Sequence, residues 1–86
     1  MNKRECMAAV RAQLRRYGVS NKRKDGAEWA QVVARTHGIG IGVYCDSPQT
    51  CDVATRAIRA MGLKPAPVLF GNSVIISGGW EELAND

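Results

Sequence analysis

Residues 39–61 read IGIGVYCDSPQTCDVATRAIRAM, and this stretch sets the fold class. Ile39 to Tyr44 alternates strictly, which is the period of a strand. Ile39, Ile41 and Val43 fall on one face, and Gly40, Gly42 and Tyr44 on the other. Two glycines on one face leave room for a packed helix, an aromatic ring or a ligand to approach the backbone. Ser47 followed by Pro48 then places an N-cap directly before a first-turn proline, so a helix starts there. It runs to about Met61 and stops at Gly62. Cys51, Val53, Ala54, Ala57, Ile58 and Met61 cover one half of it. Asp52, Thr55, Arg56 and Arg59 cover the other, with Asp52 and Arg56 one turn apart.

Downstream, Lys64 to Pro67 reads as an extended connector. Val68-Leu-Phe70 and Ser73-Val-Ile-Ile-Ser77 flank Gly71-Asn72, the pattern of a two-residue type II′ hairpin. Gly78-Gly79 ends that strand. Trp80-Glu-Glu-Leu83 follows as one helical turn, with Trp80 closing the core. Upstream, Asn2 and Glu5 form a capping-box pattern that opens a helix to about Tyr17. Its apolar stripe is Met7, Val10, Leu14 and Tyr17, and Gly18 is its C′ stop. Residues 18–26 read as a polar loop. Asp25 with Glu28 repeats the capping-box pattern, which predicts a short second helix with Trp29, Val32 and Val33 inward, ending near Thr36 to Gly38.

The predicted order is α-α-β-α-β-β, an α+β two-layer sandwich with a three-stranded mixed sheet and helices mainly on one face. The strand–helix–strand crossover is right-handed if those strands are parallel. The expected organisation is a single domain over 1–86: a basic N-terminal helix and loop (1–26), an α/β core (27–83) and a frayed tail (84–86). A sheet with two edges also offers pairing with a second copy as a homodimer.

The chain has 86 residues, 45% apolar and 23% charged, a composition that folds rather than stays disordered. It lacks an apolar run long enough for a membrane span, and it opens on a basic, helix-like segment rather than a secretory signal. Three cysteines, an odd number, point to a reducing, cytoplasmic setting. Cys6, Cys45, Cys51 and the single histidine, His37, lack the paired spacing of a zinc site, so the expectation is no metal and no cofactor. His37 belongs to no recognisable triad and reads as a capping or surface residue. The glycines at 38, 40 and 42 lie in a strand, not between a strand and a helix, so they are not a dinucleotide fingerprint.

The net charge of +4 conceals an asymmetry. Eight of the 12 cations lie in residues 1–24, against one acid, Glu5. Residues 25–86 carry the other four cations and seven acids. Arg11, Arg15 and Arg16 are placed on the first helix, and Lys22, Arg23 and Lys24 in the loop after it. Six clustered cations suit phosphates, because neutralising them releases counterions. The leading expectation is therefore a non-enzymatic protein that contacts nucleic acid through this surface. The same basic face, with the Tyr17 end of the helix, also suits an acidic protein surface, as in an inhibitor or adaptor; a mobile-element-encoded inhibitor of nucleic-acid machinery is one such case.

A third expectation is thiol chemistry at Cys45, which lies between a strand end and a helix N-terminus. From Val43 onward the chain resembles thioredoxin-like and glutaredoxin-like proteins, through Pro67-Val68 and Ser77-Gly78-Gly79-Trp80-Glu81-Glu82. That resemblance implies a strand, a thiol turn, a helix and a closing hairpin. The chain departs from the family in its defining motif: there is no Cys-x-x-Cys, Cys45 and Cys51 are six apart, and the family's middle strand and helix are missing. Cys6 and Cys51 read as small apolar residues on buried helix faces.

Overall fold

A computed structural model describes residues 1–23, 26–35, 40–68 and 71–83. The expectations for Lys24, Asp25, His37, Ile39, Phe70 and the tail 84–86 lie outside the described residues. The elements are α1 (Lys3–Arg16), β1 (Ala30–Ala34), β2 (Ile41–Cys45), α2 (Pro48–Ala60), β3 (Pro65–Pro67), β4 (Ser73–Ile76) and a 3₁₀ turn at Trp80–Glu82.

Local signals account for both helices. Asn2 accepts from the Glu5 amide while Glu5 accepts from the Asn2 amide, which completes the capping box. At the other end, Gly18 at φ +82° carries the chain into a left-handed exit. Gly18 N–H donates to Arg15 and Val19 N–H to Leu14, and Val19 and Leu14 are both buried. That is the Schellman pattern with its apolar contact. On α1 the fully buried residues are Cys6, Val10 and Leu14. The buried line is therefore shifted from the expected stripe: Cys6 replaces Met7, and Tyr17 at the C-cap is 42% exposed.

Helix α2 starts at Ser47, whose hydroxyl accepts from Thr50 N–H and bonds the Thr50 hydroxyl. Thr50 is fully buried, so Ser47 satisfies a polar group that has no access to water. Ser47→Ala is expected to destabilise the fold by about 1–3 kcal/mol, since it removes a cap and strands that hydroxyl. Chemical denaturation would measure it, and a loss no greater than at an exposed helix position would contradict this role.

The sheet has four strands in the order β1-β2-β4-β3, and every neighbouring pair is antiparallel. This corrects the expectation of three strands in a mixed sheet. The fourth strand comes from the segment expected to be a second helix: Ala30 to Ala34 is β1, paired along its whole length with β2. Both periods fit those five residues. The strand wins because it hydrogen-bonds along β2 and still buries Ala30 and Val32. Strands β2 and β3, joined by α2, run parallel with β4 between them, a split β–α–β unit.

The segment expected to be a connector forms the edge strand β3, in register with β4 from Pro65↔Ile76 to Pro67↔Val74. The register also differs from the expectation: Val68 N–H donates to Ser73 O, so Ser73 stands opposite Val68, whereas a two-residue turn at Gly71-Asn72 would set it opposite residue 70.

Both edges oppose strand pairing with a second copy. Val68 and Ala66 take the hydrogen-bonded positions toward β4, so Pro65 and Pro67 face the open edge, where neither has an N–H to donate. On β1, Asp46 N–H donates to Trp29 and Arg35 N–H to Gly40, so the odd-numbered residues pair with β2. Ala30, Val32 and Ala34 then direct their backbone groups outward. Ser20 O accepts from Ala30 N–H at 2.8 Å, and Arg11 donates to Val32 O at 3.0 Å.

Helices α1 and α2 touch each other and pack on one face of the sheet. Between these layers lie Cys6, Val10, Leu14, Ala30, Val32, Ile41, Val43, Ala54, Ala57, Ile58, Val74 and Ile76, with Trp80 closing one end as expected. The opposite face presents Gln31, Val33, Gly42, Tyr44, Ala66, Ser73 and Ile75, and none of the described elements covers it.

Candidate nucleic-acid interface

The basic helix and the loop after it form one surface because Asn21 joins them. Its amide nitrogen donates to the Arg11 carbonyl at 3.2 Å, and its amide oxygen accepts from Arg15. Ser20 folds the next turn by accepting from Lys22 N–H and donating to Lys22 O. Lys22 and Arg23 are consequently exposed beside the C-terminal end of α1.

Among the described residues the side-chain partners of Arg11, Arg15 and Arg16 are neutral oxygens. Arg11 donates to the Val32 carbonyl, Arg15 to the Asn21 amide and Arg16 to the Gln13 amide at 3.2 Å. These bonds position guanidinium groups without cancelling their charge. Arg11 differs from the others in reaching across to the sheet edge, where it serves the fold. Of the six candidate cations, Arg15, Arg16, Lys22 and Arg23 are exposed. Lys24 lies outside the described residues.

Sequence reasoning missed the neighbour of this surface. Trp29 was expected in the core on a helix. It stands instead just before β1, with its carbonyl accepting from Asp46 N–H, and is only partly buried. It lines a groove of about 270 Å³ with Asn21, Lys22, Arg23 and Gln31. Among the described residues this lining contains two cations and no carboxylate. Two further depressions, one on α2 with Asp52 and Arg56 and one beside Gly62 and Lys64 with Glu82, each include an acid. The alternation of β1 was the available signal, since it places Trp29, Gln31 and Val33 on one face as soon as the segment is read as a strand.

The glycine-rich face of β2 has an aromatic occupant. Tyr44 leans back along its own strand, so a Cβ at Gly42 would meet its ring Cε2 at 3.0 Å and Cζ at 3.3 Å. The ring is 48% exposed. Of the three candidates for that gap, the structure puts an aromatic ring there.

Cys45 is partly buried, with the Cys51 side chain beside it. Burial, followed by Cys51 and then Asp46, pushes the Cys45 thiol up to about 12. Thiolate chemistry at neutral pH needs the opposite direction. Cys6, fully buried on α1, is also raised, chiefly by burial. Because the folded value lies above the free-thiol value, the neutral thiol is favoured up to the free-thiol pKa, and this preference is lost as pH rises through the folded pKa. Cys45 in the folded protein is therefore expected to alkylate more slowly than a free thiol near pH 8.5, by an order of magnitude or more. Iodoacetamide labelling with peptide mapping would test this, and rapid labelling below pH 8 would reinstate the thiol reading.

Among the described residues no group of three His, Cys, Asp or Glu converges as a metal site would require. No described helix is long and apolar enough to cross a membrane. No family model, curated protein or solved structure matches this chain.

Proposed function

We propose that this protein binds nucleic acid through phosphate contacts from Arg15, Arg16, Lys22 and Arg23, and that it works by binding rather than by catalysis. The observation that carries the reading is the Asn21 bridge. It assembles helix and loop cations into one surface whose guanidinium groups bond neutral oxygens and so keep their charge for an anion. A phosphate backbone matches such a surface, with affinity set mainly by released counterions and little sequence preference.

A second reading takes the same cations toward an acidic protein surface, as an inhibitor or adaptor. The exposed Tyr17, next to Arg16 at the end of α1, favours it as an anchor of the kind that protein interfaces use.

Fluorescence anisotropy of labelled single- and double-stranded DNA and RNA across a salt series separates the two. Micromolar binding that weakens steeply with salt is expected for the first reading. Failure to bind any probe at low salt would end it and direct the search to a protein partner.

A further inference from the structure

None of the described elements covers the sheet face away from the helices, and this face is continuous with the basic groove. Trp29 precedes β1 in the same alternation as Gln31, and Gln31 stands directly opposite Tyr44. Trp29 stands opposite Asp46, so Trp29 and Tyr44 are diagonal neighbours on adjacent strands, with Cα atoms about 7–8 Å apart in such a register. Gln31 and Trp29 line the groove together with Lys22 and Arg23. Arg35, exposed and next in the alternation after Val33, bounds the far end of the same strand. Two aromatic rings thus lie on an uncovered antiparallel sheet, with cations at both ends of the strand beside them.

We infer that this face is a stacking platform for single-stranded nucleic acid, with bases on Trp29 and Tyr44 and phosphates on Lys22, Arg23 and Arg35. The inference rests on the nucleic-acid reading above and adds the kind of strand and the residues that meet its bases. Four-stranded sheets with surface aromatics take bases in this manner, because a splayed single strand exposes ring faces that a duplex keeps stacked. The rows Gln31–Tyr44–Ser73 and Val33–Gly42–Ile75–Ala66 are uncharged, and among the described residues of this face the acid is Asp46, opposite Trp29 at its edge. Charge complementarity therefore selects an anionic strand over an acidic or neutral protein face of the same width. Asp46, beyond Tyr44 at the strand end, is the carboxylate nearest in the alternation, and Asp46→Asn is expected to tighten binding.

The test uses the full chain with four probes: a single-stranded DNA of about ten nucleotides, the RNA of the same sequence, the corresponding DNA duplex, and inorganic polyphosphate. Tyr44→Ala is expected to weaken both single-stranded probes about 5-fold to 150-fold. It should leave polyphosphate binding and the salt slope unchanged. Tyr44→Phe, which keeps the ring, should bind as the parent does, and unchanged circular dichroism would exclude misfolding of the alanine variant. Trp29 emission should be quenched by the oligonucleotides and not by polyphosphate, while Trp80, only 6% exposed, stays shielded. Equal affinity for duplex and single strand, or full affinity in Tyr44→Ala, overturns the platform while leaving phosphate binding standing. Absence of binding to all four probes removes the phosphate reading and the platform with it.

Discussion

Replacing Arg16, Lys22 and Arg23 together by glutamine is expected to flatten the log–log dependence of nucleic-acid affinity on salt by about 2–3 units. The choice of residues follows from their bonds. Arg15 holds Asn21 and Arg11 holds the β1 edge, so removing either would loosen the scaffold as well as the charge. Arg16 bonds only within its own helix, and Lys22 and Arg23 are exposed. Each phosphate contact adds about 0.7–0.9 to the slope, so three contacts separate parent from variant by on the order of a thousandfold at about 0.05 M salt, with convergence near 1 M. The divergence at low salt matters more than the absolute affinity. A variant that loses affinity equally at all salt concentrations would show that these side chains act through shape. An unchanged slope would place the phosphates elsewhere on the protein.

The largest expected effect on stability is at Gly40. A Cβ there would lie 2.6 Å from the Ile76 carbonyl oxygen, and the backbone sits at φ +126°, where side-chain-bearing residues are strained. Neither partner has room to move. Ile76 is fully buried in β4, opposite Ile41 on one side and Pro65 on the other. Gly40 O also accepts from Arg35 N–H at 3.4 Å, one of the bonds that close the β1–β2 ladder. Strain and overlap together are expected to cost about 3 kcal/mol or more in Gly40→Ala. A chain of this length has a total stability of about 4–13 kcal/mol, so the variant loses a large share of it and should unfold at a much lower urea concentration. Gly78→Ala is the control, because a Cβ there meets nothing within 4 Å. Urea midpoints should separate the two clearly, and a Gly40→Ala midpoint matching Gly78→Ala would refute the close approach of β2 and β4.

The elements that could be read from sequence carry their own local chemistry. Asn2 with Glu5, Gly18, Ser47 with Pro48, and Gly62 mark helix ends through side-chain caps and backbone conformations that are complete within a few residues. Alternation in Ile41 to Tyr44 is equally local. The errors come where the partner is distant in sequence. Trp29, Val32 and Val33 satisfy a helical spacing, and Glu28 supplies the end of a capping-box pattern. Only the pairing of Gln31 with Tyr44 and Val33 with Gly42 shows the segment to be a strand. Pro65 and Pro67 argue against a strand in isolation. They are accommodated because their nitrogens face a free edge, a fact that depends on the register with β4.

The site divides in the same way. Its cations are visible as a run of like charge, but the Asn21 link that gathers them is a tertiary contact, and so is the approach of Trp29 to Lys22 and Arg23. A helix opened by Asp25 and Glu28 and ending near Thr36 to Gly38 puts Trp29 in the core and hides its relation to Tyr44. The proposed stacking face depends on β1 being a strand, because that is what sets Trp29 and Gln31 on the same face as Tyr44.

Backbone amide chemical-shift mapping with a short single-stranded oligonucleotide tests the central claim most directly, because it reports where the ligand sits as well as whether it binds. The account predicts shifts clustered at Arg15, Arg16, Lys22, Arg23, Trp29, Gln31 and Tyr44, with Arg56 and Arg59 on the outer face of α2 unmoved. Shifts confined to α2, or a spectrum that does not respond to oligonucleotide at low salt, would contradict it.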